Sequence, residues 1–128
     1  MTKYELIKCQ DLYQIKALRD IGLDVKKGDL GGYVENENNL SQEGESWIYE
    51  DASAQGNSRV LGDAWVFGDA VISGDARVSD NAYVFGNAYV SDNAIVSGDA
   101  RVSGDARVFG NVHIAEGTVV EEGDYNGI

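Results

Sequence analysis

The sequence predicts an all-β chain wound as a parallel β-helix, and three observations carry that prediction. Residues 44 to 121 repeat one six-residue unit thirteen times without a gap. The middle of the stretch reads GDAWVF GDAVIS GDARVS DNAYVF GNAYVS DNAIVS GDARVS GDARVF, that is Gly or Asp, then Asp or Asn, Ala, any residue, Val or Ile, any residue. A hexapeptide period belongs to parallel β-helices, where each unit makes one short strand and one corner. The second observation is an inward series at every sixth position, running from Ile48 through Ala54, Val66, Val84 and Val102 to Val120. The third is a small residue two places before most of these, as in Ala64, Ala82 and Ala100. Positions two apart on a strand share a face, so each hexad sends one branched aliphatic and one small residue into a narrow core.

Three segments follow in order: an N-terminal cap over 1–43, the hexapeptide coil over 44–121 and a C-terminal tail over 122–128. In the cap, Tyr13, Ile15 and Ala17 alternate with Gln14, Lys16 and Leu18, and Tyr4, Leu6 and Ile7 lie among β-compatible neighbours. Two short strands or a hairpin are expected there, with a helix over Leu12 to Asp20 as the second choice. Gly22 and the run Asp24 to Asp29 punctuate the chain as a loop, and Gly31-Gly32-Tyr33-Val34 begins something more regular. Val34 and Leu40 keep the spacing of six, whereas Leu40 and Ile48 are eight apart, which predicts a bulge or small loop near Ser41 to Gly44 and an irregular first coil. In the coil the Gly-Asp and Gly-Asn pairs supply corners, since glycine tolerates unusual φ and a short polar side chain bonds its own backbone. Asp80 and Asp92 stand where the glycine would be, each followed by Asn.

Length and composition narrow the possibilities. At 128 residues there is room for one domain. The formal net charge is −12, and it is uneven: residues 1–43 hold six Lys or Arg against eight Asp or Glu, and residues 44–128 hold four against fourteen. So acidic a coil disfavours direct nucleic-acid or anionic-lipid contact and favours basic partners. The opening MTKYELIKCQ lacks the apolar core of a signal peptide and no stretch approaches membrane-spanning length, so a cytoplasmic location in a bacterial cell is expected. A single cysteine, Cys9, suits a reducing compartment and reads as a small buried or half-buried apolar residue.

The hexads of 44–121 resemble the left-handed parallel β-helix of hexapeptide-repeat proteins. That resemblance implies three hexads per triangular coil, four to five coils, a left-handed winding and an oligomer, either dimer or trimer. The acyltransferase form of the motif places Gly directly after the aliphatic residue, whereas here Ser or Phe intervenes. The whole pattern, with LGGYVENENNLSQEGESWIYEDA leading into GDA-type hexads, is more similar to small repeat proteins of bacterial genomes and their prophages.

With three hexads per coil, residues eighteen apart stack. One face then carries Trp47, Trp65, Tyr83 and Arg101 in one outward column and Tyr49, Phe67, Phe85 and Ser103 in the next. The six aromatic residues Trp47, Tyr49, Trp65, Phe67, Tyr83 and Phe85 form the candidate interface, because each ring buries about 150–250 Å² and a bare patch of that size marks a contact surface. Three occupants compete: the N-terminal strands, through Ile15, Leu18 and Ile21; a second copy; or an external protein. The corner columns mix Asp with Asn, which limits like-charge stacking and lets amides ladder. Repeated Gly-Asp also raises calcium, but the nonapeptide period of metal-binding β-rolls is absent, and no metal or cofactor is expected. His113 is the only histidine, at an outward position, so a zinc site needing several His is excluded and catalysis is not expected. The sequence therefore points to a non-catalytic module acting by self-association and protein binding. Two alternatives remain: an acidic, phage-type inhibitor of a basic, nucleic-acid-binding host protein, and an acyltransferase-like enzyme.

Overall fold

The computed structural model describes residues 2–127. Strands β1 (Tyr4–Cys9) and β2 (Leu12–Ala17) form an antiparallel hairpin, and β2 pairs in turn with β3 (Leu30–Val34). Alternation therefore decides this segment, and the helix over Leu12 to Asp20 does not form: Ile15 and Ala17 point inward and are buried. The two-residue turn places Gln10 in the left-handed region at φ 57. Cys9, at the hairpin tip, is exposed and not buried, because the strand that carries it turns its odd-numbered side chains away from the core.

From β3 onward the chain is a parallel β-solenoid. Strands mostly two residues long recur every six residues and stack into three faces, with five levels on the face that carries Trp65. Trp65 pairs with Tyr83 and Val66 with Val84, so eighteen residues make one coil. The inward positions Val60, Val66, Ile72, Val78, Val84, Val90, Val96, Val102 and Val108 are fully buried, as are the alanines two places before them from Ala64 to Ala106. Each buried Val contributes about 1.5–3 kcal/mol against the ordering entropy of a thin coil. Backbone polar groups are satisfied from coil to coil: the N–H of Trp65 donates to the Ala82 carbonyl at 3.0 Å and that of Phe67 to Val84 at 3.0 Å.

Each regular corner is a four-residue turn with positive φ at its second residue. In Ser73-Gly74-Asp75-Ala76 the turn closes through Ala76 N–H to the Ser73 carbonyl at 3.2 Å, with Gly74 at φ 62. Asp80, Asp92 and Glu50 accept φ 58 at the equivalent place. Their carboxylates reach along the stack. Asp80 accepts the N–H of Gly98 at 3.0 Å, Asp92 that of Gly110 at 3.0 Å, and Glu50 that of Gly68 at 2.9 Å, each one coil further on. The corner backbone of the next coil presents free donors one strand spacing away, which is nearer to a carboxylate aimed along the stack. Amide ladders form as expected, Asn87 to Asp105 at 3.3 Å and Asn93 to Asn111 at 3.2 Å.

Both ends depart from the period. In the first coil Val34 pairs with Ala54 and Leu40 with Val60, twenty residues apart, while Ile48 returns to eighteen with Val66. The two extra residues fall between Leu40 and Ile48, where the spacing of eight lies. Buried Asn39 mends the adjoining backbone, donating to the carbonyls of Gly56 and Ser58 at 3.1 and 2.9 Å and accepting from Glu35 and Asn36. The hairpin lies over the open end of this coil: the Tyr4 hydroxyl donates to Leu40 and Glu37 carbonyls, and the buried Lys3 ammonium donates to Ser46 O at 2.8 Å, Ser46 Oγ at 3.1 Å and Glu43 O at 3.3 Å. Gly31 and Gly32 allow the close approach, since a Cβ on Gly32 would meet Ala52 O at 2.5 Å. At the other end the segment beyond 121 is a strand, Asp124–Gly127, paired in parallel with Arg107–Gly110; Tyr125 stands opposite Val108, one residue short of the eighteen-residue step.

Candidate functional site

The eighteen-residue register builds the aromatic face. One column stacks Trp47, Trp65, Tyr83, Arg101 and Val119, each a parallel partner of the next. Beside it Tyr49, Phe67 and Phe85 follow at the same step. Outward side chains of neighbouring coils sit one strand spacing apart, which is close to ring-stacking distance, so a ladder of rings is what this register must produce. Phe67 and Phe85 stack at 4.7 Å with parallel planes, and Trp65 and Tyr83 at 5.1 Å and 17°. Tyr49 meets Trp65 edge-on at 5.6 Å and Phe67 at 6.3 Å, and Phe67 meets Tyr83 at 6.4 Å, tying the two columns into one cluster. Arg101 closes the top, its guanidinium 5.4 Å from the Tyr83 ring.

Five of the six candidate interface residues, Tyr49, Trp65, Phe67, Tyr83 and Phe85, are half-buried and contiguous. Trp47 is a correction. It begins the column by register, yet it is 1% exposed, held beneath the cap with Tyr4 edge-on at 6.3 Å. The cap thus buries Trp47 and leaves the rings of Tyr49, Trp65, Phe67, Tyr83 and Phe85 half-buried; Ile15 and Ile21 of the cap are buried in the same core.

A loop that sequence reading treated as punctuation contributes to the face. Ile21 and Val25 bridge each other and are buried, which holds Gly22-Leu23-Asp24 against the lowest open rungs. A groove of about 390 Å³ results, walled by Asp24 and Glu50 and floored by Tyr49, Trp65 and Phe67. A second hollow beside it is lined by Gly22, Leu23, Asp24, Glu45 and Trp65. Burial, and after it the negative charge of Asp24 and the Tyr83 neighbour, push the Tyr49 hydroxyl up to about 12. The floor is apolar and the rim anionic, which suits an apolar side chain with a cationic tip. Only the Ile21 and Val25 spacing hinted at this loop's docking; nothing local in the sequence placed Asp24 beside Tyr49.

His113 lies on a different face, in the column of Arg59, Arg77 and Ile95, and is exposed. Its Nε2 is 2.9 Å from Ser97 Oγ. No group of three or more His, Cys, Asp or Glu arranged to hold a metal occurs among the described residues. No helix among them is long and apolar enough to cross a membrane.

A family model described as the YdcK β-solenoid repeat matches residues 88–104 and 100–116. The match spans residues 88–116 only, and with the three stacked faces it supports a β-solenoid repeat. The two matched windows overlap and lie in the regular coils, where Tyr89 pairs with Arg107 and Ile95 with His113. No curated protein matches the chain.

Proposed function

We propose that the chain is a non-catalytic binding and assembly module: a left-handed, hexapeptide-type solenoid of bacterial or phage origin that acts in the cytoplasm through self-association and protein binding. The observation that carries this reading is the ladder of Tyr49, Trp65, Phe67, Tyr83 and Phe85, five rings in mutual contact and half open to solvent. Rigid rings held by the coil need little further ordering on binding, and aromatic residues at the centre of an interface tend to dominate its energy. Because the stacked rings spend their faces on one another, they offer edges and rims to a partner, which favours packing against side chains over stacking of a planar ligand.

The test replaces Trp65 and Phe67 with Ser together. The coil should stay folded by circular dichroism, and the assembled mass in light scattering should fall. A double variant unchanged in mass, melting temperature, protease pattern and partner capture would overturn the reading.

A second reading is favoured by the net charge of −12. An acidic prism with an anionic aromatic groove would occupy a basic, nucleic-acid-binding protein and inhibit it; the same double variant would then lose capture of that protein with its own mass unchanged. The acyltransferase alternative rests on His113 and Ser97 alone. A general base needs a substrate pocket, and His113 stands at an exposed outward strand position.

A further inference from the structure

The aromatic face differs at its two ends, and this polarity specifies how two copies would meet; the inference rests on reading that face as an interface. At the N-terminal end Leu23, Asp24 and Glu50 surround the groove floored by Tyr49, Trp65 and Phe67. At the C-terminal end of the same column stand Arg101 and then Val119. Leu23 is 92% exposed and Val119 61%, the two most exposed large apolar side chains among the described residues, and they lie at opposite ends of this one face. Arg101 is not free in solvent but rests over the Tyr83 ring, 5.4 Å from its centroid, so its guanidinium is already oriented.

The geometry points to a two-fold homodimer in which two aromatic faces pack with their coil axes antiparallel, Arg101 of each copy entering the Asp24 and Glu50 groove of the other. Tyr49, Trp65, Tyr83 and Arg101 occupy successive levels, so the first and fourth are roughly 14 Å apart at one strand spacing per level. A two-fold axis midway between them sets the Tyr49 level of one copy on the Arg101 level of the second, and Trp65 with Phe67 on Tyr83 with Phe85. The same operation carries Leu23 towards Val119 of the second copy. Such an isologous contact is self-complementary in charge and in apolar surface, and it closes at two subunits. A parallel arrangement, in a dimer or a trimer, would instead gather the Asp24 and Glu50 carboxylates of all copies at one end, where like charges oppose association. A guanidinium is the cation that suits this groove, because it pairs with carboxylates through its edge and stacks on rings through its plane.

The test is charge reversal on each side, read by sedimentation over a concentration series. Wild type should form dimers. Arg101→Glu and Asp24→Arg should each raise the dimer dissociation constant by at least about tenfold while keeping the wild-type circular dichroism spectrum. An equimolar mixture of the two variants should recover the dimer, because in the mixed pair one contact is native and the other is reversed on both sides. A wild type that is monomeric or trimeric, reversal variants that dimerise as wild type does, or a mixture that stays monomeric would each overturn the antiparallel dimer. Trp65→Ser with Phe67→Ser separates the two levels of the claim. Loss of assembly there, with the charge reversals silent, keeps the face as an interface and rejects only the antiparallel pairing. Unchanged mass in every variant of an assembling wild type would place the interface elsewhere.

Discussion

Val84→Asp is the sharpest test of the inward register. Val84 is fully buried at the middle of the coil, between Val66 and Val102 in its own column. Truncation to Ala removes two carbons, about 1.6 kcal/mol of transfer free energy, and the cavity left in a core this narrow brings the cost to about 2–3 kcal/mol. Aspartate adds a carboxylate with no donor facing it, since the surrounding inward side chains are Val and Ala, and at neutral pH the total should exceed about 4–5 kcal/mol. Arg77→Ala, on an exposed outward position, should stay within about 0.5 kcal/mol. For a chain of 128 residues each kcal/mol moves the melting temperature by about 3–5 °C, so Val84→Asp should lose more than about 12 °C and Val84→Ala roughly half of that. The pH dependence gives an independent check. A buried carboxyl has a raised folded pKa, so its penalty is smallest below about pH 4, where the unfolded chain is also protonated, and grows as pH rises. Thermal melts of the three variants at pH 4 and pH 7 provide the assay. If Val84→Asp melted with Arg77→Ala at pH 7, the assignment of inward and outward positions would be wrong.

Two further outcomes follow from the ends and the corners. Burial, and then the nearby Arg19, lower the Lys3 ammonium from 10.5 to about 8, so between those values the unfolded chain holds a proton that the folded chain has released. Stability relative to Lys3→Met should therefore rise from pH 8 to pH 10.5, and a flat difference in denaturant midpoint across that window would contradict the buried amine; above pH 10 the raised hydroxyls of Tyr4 and Tyr49 work the other way, and stability should fall. At the corner, Asp80→Asn keeps an acceptor for Gly98 N–H and tolerates φ 58, Asp80→Gly loses the acceptor but not the conformation, and Asp80→Ala loses both. Melting temperatures should fall in that order, with Asp80→Ala costing about 1–3 kcal/mol, and a Gly variant below the Ala variant would show that strain does not matter there.

The aromatic ladder was legible once the resemblance to hexapeptide-repeat proteins supplied three hexads per coil, and the observed eighteen-residue register fixes it. Once Val66 and Val84 face the core, Trp65 and Tyr83 must face out and must be neighbours. Trp47 obeys the same register and is nevertheless buried, because its exposure depends on where residues 4 to 25 fold back, and no period governs them.

What the sequence by itself determined is the six-residue repeat: strand positions, the inward column and the two-residue excess before Ile48; the three faces came with the resemblance to hexapeptide-repeat proteins, and the cap stood between two strands, a hairpin and a helix. The repeat follows from short-range spacing, since a strand alternates every two residues and the unit recurs every six; the eighteen-residue coil is seen in the strand pairing. Only the tertiary structure decided the rest. Lys3 finds carbonyls some forty residues away, Asp24 reaches the Tyr49 and Trp65 rungs, and the corner carboxylates reach along the stack to the next coil's backbone. The physical reason is that those contacts depend on which unsatisfied donors, acceptors and rings the coil leaves at its ends and along its edges, and those groups meet only once the chain has wound.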